Sequence, residues 1–243
     1  MKKLVYILSC LYVVNYTAQN YRDDLLAMNH NLLGRESYSL QLSYKLFVDD
    51  KMIHPFQQRD VSIARDGEKL HVKQSSGIEI IETENTQLLF DHKQKVFSAR
   101  RKESSEGSSI AGKKELAGLF GTYVDSLMNV FEHIKLVYED ARVVKYECKP
   151  KPGNEAAMIW LEMDKKLKVY RSVTTQYKEK RKISELDNKE HQITVKVEYK
   201  EFTSRPVLSP SLFEIKNYVT VRDQNITGPS KKYSDYKCLN ATY

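Results

Sequence analysis

The sequence is short of most features that announce a chemistry. Only three of its 243 residues are cysteine, Cys10, Cys148 and Cys238. None has a histidine or second cysteine at ligand spacing, which excludes the recognisable zinc and redox motifs. The six histidines (His30, His54, His71, His92, His133, His191) are scattered, with no pair two to four residues apart. HExxH, the Walker loop, GxSxG and GxGxxG are all missing. The expectation is a non-catalytic protein without metal or cofactor. Long apolar runs are also missing. Residues 4–14 form an uncharged, mostly apolar run that as a helix spans about 16 Å. A bilayer core is about 30 Å thick, so no transmembrane anchor is expected. A dense basic face is missing too. The net charge of +7 is spread through strand and turn sequence (Lys149 and Lys151; Lys165, Lys166 and Lys168; Lys178, Lys180, Arg181 and Lys182) with acids between. That argues against a nucleic-acid partner.

What is present begins at the N-terminus. Lys2 and Lys3 precede the apolar run, and Asn15, Tyr16 and Thr17 turn polar before the small Ala18. Charged, apolar, small is the order of a secretory signal. Cys10 lies inside the apolar run, and a lipid-modified cysteine would follow it, so Cys10 reads as a small hydrophobe in a discarded peptide. Residues 1–18 are expected to be a signal peptide cut after Ala18, and the ending TAQN is similar to export signals of Bacteroidetes-type bacteria. Residues 19–243 are expected to be one α+β domain with a C-terminal Tyr-rich tail, located in the periplasm or outside the cell. Removing residues 1–18 takes away Lys2 and Lys3 alone among the charges and leaves +5. Cys148 and Cys238 remain. In an oxidising compartment they are a possible disulfide, with two free buried thiols as the alternative.

Along the chain, residues 21–33 (YRDDLLAMNHNLL) group apolar positions at helical spacing before Gly34. In ESYSLQLSYKLF, Tyr38, Leu40, Leu42, Tyr44 and Leu46 alternate with polar residues, as in a half-buried strand. Short strands follow, with Asp66-Gly67 as a hairpin signal, and a meander without crossovers implies an antiparallel sheet. KESSEGSS, residues 102–109, reads as a loop. KKELAGLFGTYVDSLMNVFEHI reads as the strongest helix, with Leu116, Leu119, Phe120, Tyr123, Val124, Leu127, Val130 and Phe131 on one face. AAMIWLEM is apolar on both parities and reads as a central strand covered on both faces. HQITVKVEYKEF places Val195, Val197 and Tyr199 in strict alternation. KEKRKISELDNKE is a charged connection, and KKYSDYKCLN a tail. The order of elements predicts a strongly curved antiparallel sheet, a half-barrel, with helices over its concave face.

This layout resembles the LolA-like family of periplasmic lipoprotein carriers and the related envelope sensors. The resemblance rests on the signal peptide, the helix before ESYSLQLSYKLF, and VSIARDGEKLHVKQ read as strand, Asp-Gly, strand. LLFDHKQKVFSA, the mid-chain helix and PSLFEI before a last strand complete it. It implies an apolar cavity for acyl chains, and an acyl lipid or lipoprotein as partner. In the sensor relatives the same scaffold binds lipid or protein signals, so a scaffold or sensor with a filled core and an envelope protein partner is the alternative. The sixteen tyrosines fit either reading, since a Tyr ring suits both a groove wall and ordinary strand faces. The expected ligand-cavity wall is Tyr38, Leu40, Leu42, Tyr44, Leu46, Trp160, Val195, Val197 and Tyr199, with a lid near residues 102–116.

Overall fold

The computed structural model of the chain describes residues 21, 23–28, 31, 36–49, 51–102, 130–184, 188–223 and 225–242. The expected signal peptide, the lid and most of the mid-chain helix lie outside them. Residues 21, 23–28 and 31 are helical and are named α1. Fourteen strands follow among the described residues: β1 (Ser37–Val48), β2 (Gln57–Asp66), β3 (Lys69–Gln74), β4 (Ile78–Glu82), β5 (Thr86–Asp91), β6 (Val96–Arg101), β7 (Phe131–Glu139), β8 (Val143–Pro150), β9 (Ala156–Asp164), β10 (Val169–Tyr177), β11 (Ile193–Ser204), β12 (Val219–Arg222), β13 (Asn225–Pro229) and β14 (Lys237–Thr242).

Twelve of the strands form one sheet in the order β14-β6-β5-β4-β3-β2-β1-β11-β10-β9-β8-β7, and β12 and β13 form a separate hairpin. The alternation of apolar and polar residues explains the strands. The turns are set locally, as where Gly67 takes φ +59° between β2 and β3, a backbone region costly for residues with a Cβ. Two expectations are corrected. The sheet is not antiparallel throughout, because β14 runs parallel to β6, with Lys237 opposite Val96. The mid-chain helix also does not extend through residues 131–134. Phe131, His133 and Ile134 are strand, opposite Pro150, Lys149 and Cys148.

The chain divides into two compact units. The first contains α1, Lys45–Gln58 and, from Gly121–Glu198, strands β7 to β10 with the start of β11. The core of this unit lies on one face of β8 to β11. Tyr146, Leu161, Val173 and Val197 form one cross-strand row, and Cys148, Ile159, Thr175 and Val195 the next. Leu25 and Met28 of α1 are fully buried. The Tyr146 hydroxyl donates to Asp24 at 2.7 Å, and Lys168 reaches the same carboxylate at 2.6 Å. Asn31 donates to the carbonyls of Leu167 and Lys168. These bonds fix α1 to β8 and to the β9–β10 turn.

The second unit contains Glu36–Tyr44, Arg59–Phe120 and Tyr199–Tyr243. Its core joins Ile81, Leu88, Phe90, Phe97 and Ala99 of β4 to β6 with Tyr218, Val219 and Tyr233 from the C-terminal segment. KKYSDYKCLN is therefore no loose tail. The rings of Tyr233 and Phe90 pack at a tilt with their centroids 4.9 Å apart, and β14 completes the sheet edge. The free energy gained by burying an aromatic ring exceeds the cost of its lost rotamer freedom, which explains why so polar a stretch packs.

Candidate functional site

The residues expected to form one wall divide between the two units, and the structure gives them different roles. In the second unit Tyr38, Leu40 and Leu42 are only 1–2% exposed. They are filled core, while Tyr44 and Tyr199 are half-buried. In the first unit Leu46, Trp160 and Val195 are half-buried and Val197 is buried.

Strand register separates these four residues further. Val195 and Val197 face the side of Ile159, Leu161 and Val173. Lys45 pairs with Glu198 at 2.5 Å, which puts Lys45 on the opposite side and, by alternation, Leu46 with Val195. Trp160 aligns with Thr174, which aligns with Lys196, so its side chain lies on the face away from Val195. The expectation that Trp160 shares a wall with Val195 and Val197 is corrected on this point. A central strand with apolar residues of both parities feeds two faces, and composition does not say what each face meets.

One face of the first unit therefore carries Leu46, Ile159, Val173 and Val195, all half-buried. Tyr146, Leu161, Met163 and Tyr170, toward the bonds that hold α1, are buried. Apolar surface left partly accessible beside a filled core is what an acyl chain could cover, at about 25 cal/mol per Å² removed from water.

The other face forms an open groove of about 260 Å³. It is lined by Met52, Lys145, Trp160, Glu162, Ser172, Thr174, Gln176, Thr194 and Lys196. The Trp160 Nε1–H donates to Glu147 at 3.0 Å, and Lys196 pairs with Glu198 at 2.9 Å. AAMIWLEM is thus covered on one face and borders this groove on the other.

The second unit holds an arrangement that the scattered histidines did not reveal. Glu79, buried beneath the aromatic core, accepts from His71 Nε2 on one carboxylate oxygen and from His92 Nε2 on the other, each at 2.7 Å. His92 Nδ1 meets the Tyr236 hydroxyl at 2.8 Å. Burial raises the Glu79 pKa, but the bonds from His71 and His92 outweigh it and hold the carboxyl below its usual range. Among the described residues no group is placed to hold a metal ion. Here both ring nitrogens of His92 and the Nε2 of His71 are engaged by the carboxylate and the phenol, so the cluster is a polar tie inside the core. Alternation hid this cluster: Leu70 and Val72 are the apolar parity of β3 in the sequence, and only the strand register puts His71 and Glu79 on the face of Ile81 and Phe90.

Of the two readings of Cys148 and Cys238, a disulfide or two free buried thiols, the structure has both thiols free, with Cys148 alone buried. Cys148 points into the core from an interior strand, whereas Cys238 is exposed on the edge strand β14.

No family model and no curated protein matches the sequence. Solved structures do resemble it. A conserved protein from Thermus thermophilus aligns over 80% of this chain and 93% of its own, at 9% identity and a TM-score of 0.44. A LolA superfamily protein from Nitrosomonas europaea aligns over 79% of this chain and 96% of its own, at 10% identity and a TM-score of 0.32. The Pseudomonas aeruginosa MucA/MucB complex contains a chain aligned over 80% of this one and 60% of its own, at 10% identity and a TM-score of 0.35. The LolA-like neighbours are those named from the sequence pattern. At these identities and scores they transfer no ligand, partner or residue role to this chain.

Proposed function

We propose that this protein is an exported, non-catalytic binding or carrier protein for an acyl lipid or a lipidated partner. The observation that carries the reading is the half-buried apolar row Leu46, Ile159, Val173 and Val195 beside a filled core. The order of charged, apolar and small residues at the N-terminus supports export to the periplasm or beyond. The LolA-like sequence layout supports a half-barrel in which helices close over the ligand. Among the described residues no helix is long and apolar enough to cross a membrane. Binding is driven by apolar burial.

The test is uptake of a fluorescent fatty acid by the purified chain. Val195→Glu places a carboxylate in the row and abolishes uptake while the melting temperature stays near that of the wild type. Unchanged uptake in the folded variant would remove the site from this face. Leu42 is no substitute for Val195 in this test, because a carboxylate at a 1% exposed core position unfolds the protein.

A second reading is an envelope scaffold or sensor acting through protein contacts. It is favoured by the β1–β2 connection, where Met52, Ile53 and Phe56 are 43%, 84% and 59% exposed. Apolar side chains clustered on one turn are typical of contact sites.

A further inference from the structure

We propose that the groove on the polar face of β8 to β11 is a binding site for a sugar ring. The site stands on its own lining and is independent of the carrier reading. Its centre is Trp160, the chain's single tryptophan, held in place by the bond from its Nε1–H to Glu147. An indole fixed in this way is a preset plate for the apolar C–H face of a pyranose, which covers the ring and excludes water from it. Around the plate, register brings together groups that suit the ring's hydroxyls. Thr174 lies beside Trp160 on the neighbouring strand, with Lys196 beyond it, and Ser172 lies beside Glu162. Among the described residues, the Lys145 ammonium and the hydroxyls of Ser172, Thr174 and Thr194 have no hydrogen bond or ion pair, so all are available to a ligand.

Charge and size narrow the class. Lys196 is paired with Glu198, which also holds Lys45. Lys145 stands opposite Glu162 across β8 and β9. Lys145 is then the one cation of the lining without an ion pair among the described residues, whereas a phosphate or nucleotide site gathers several uncompensated cations. A cavity of about 260 Å³ lies below the usual range for drug-sized ligands and fits one ring rather than an extended chain.

The same ring can come from a free oligosaccharide or from the headgroup of a glycolipid. Met52 borders the groove, and Ile53 and Phe56 follow it on an exposed turn, where the lipid part of a glycolipid would lie.

Trp160 supplies the assay, because its emission reports this groove alone. The full chain is titrated with soluble glucose and N-acetylglucosamine oligosaccharides, and with phosphatidylcholine vesicles with and without a glycolipid. A saturable emission change with the saccharides identifies a free sugar. A change with glycolipid vesicles alone identifies a headgroup. In either case Lys145→Ala and Thr174→Val each weaken the apparent affinity about tenfold, the effect of losing one hydrogen bond, at unchanged melting temperature. No emission change with any sugar-bearing probe, an equal change with plain vesicles, or undiminished affinity in both folded variants would overturn the assignment.

Discussion

Burial, with a smaller contribution from the charge of Glu147, pushes the Cys148 thiol up to about 12. A thiol that is both inaccessible and protonated is inert. Iodoacetamide applied to the native protein therefore modifies Cys238 and spares Cys148 until denaturant is added, as read by peptide mass mapping. Equal labelling of both would contradict the packing of β8. Glu79 makes the second prediction at this scale. Its folded pKa lies below the ordinary value, so the carboxylate contributes stability above the unfolded value of about 4.3. That contribution is lost as pH falls through the folded value. The groups facing Glu79 are His71 on β3, His92 after β5, and Tyr218, Lys232, Tyr233 and Tyr236 of the C-terminal segment. Glu79→Gln lowers stability at neutral pH by about 2 kcal/mol, the scale of hydrogen bonds to a charged group, and flattens the acid limb of a melting-temperature profile. A variant that keeps the wild-type acid limb would show that Glu79 is not the group lost there.

Among the elements, the C-terminal segment differs most from expectation. Tyr218, Tyr233 and Tyr236 surround Phe90, and Tyr233 is buried. Tyr233→Ala removes a ring from the centre of this cluster and costs about 3 kcal/mol, the scale of large aromatic truncations, measured by urea denaturation. A loss below about 0.5 kcal/mol, the scale of surface substitutions, would show the segment to be loosely attached. The physical reason this was hidden in the sequence is range. Alternation in ESYSLQLSYKLF or HQITVKVEYKEF is a local signal, and those strands were legible. KKYSDYKCLN has no such pattern, and its order depends on Phe90 and on the edge of β6, well over a hundred residues away. The wall residues show the same limit. Alternation identified Tyr38, Leu40 and Leu42 as inward-facing, but whether an inward residue lines a cavity or fills a core depends on what packs opposite. Trp160 and Val195 each lay on an apolar parity, and only register shows that the parities face different ways.

At the scale of the whole molecule, twelve strands in one sheet support two units, each with its own core. In the first unit a filled core passes into an apolar row that is only half-buried, and on the carrier reading a ligand completes that burial. Occupancy is therefore the central claim. The most direct test is native mass spectrometry of the protein recovered from a bacterial periplasm, followed by solvent extraction of the same sample. The expected result is a mature chain beginning at Gln19 with an added mass that transfers to the solvent and is identified as an acyl lipid. A bare chain with no lipid in the extract would contradict it.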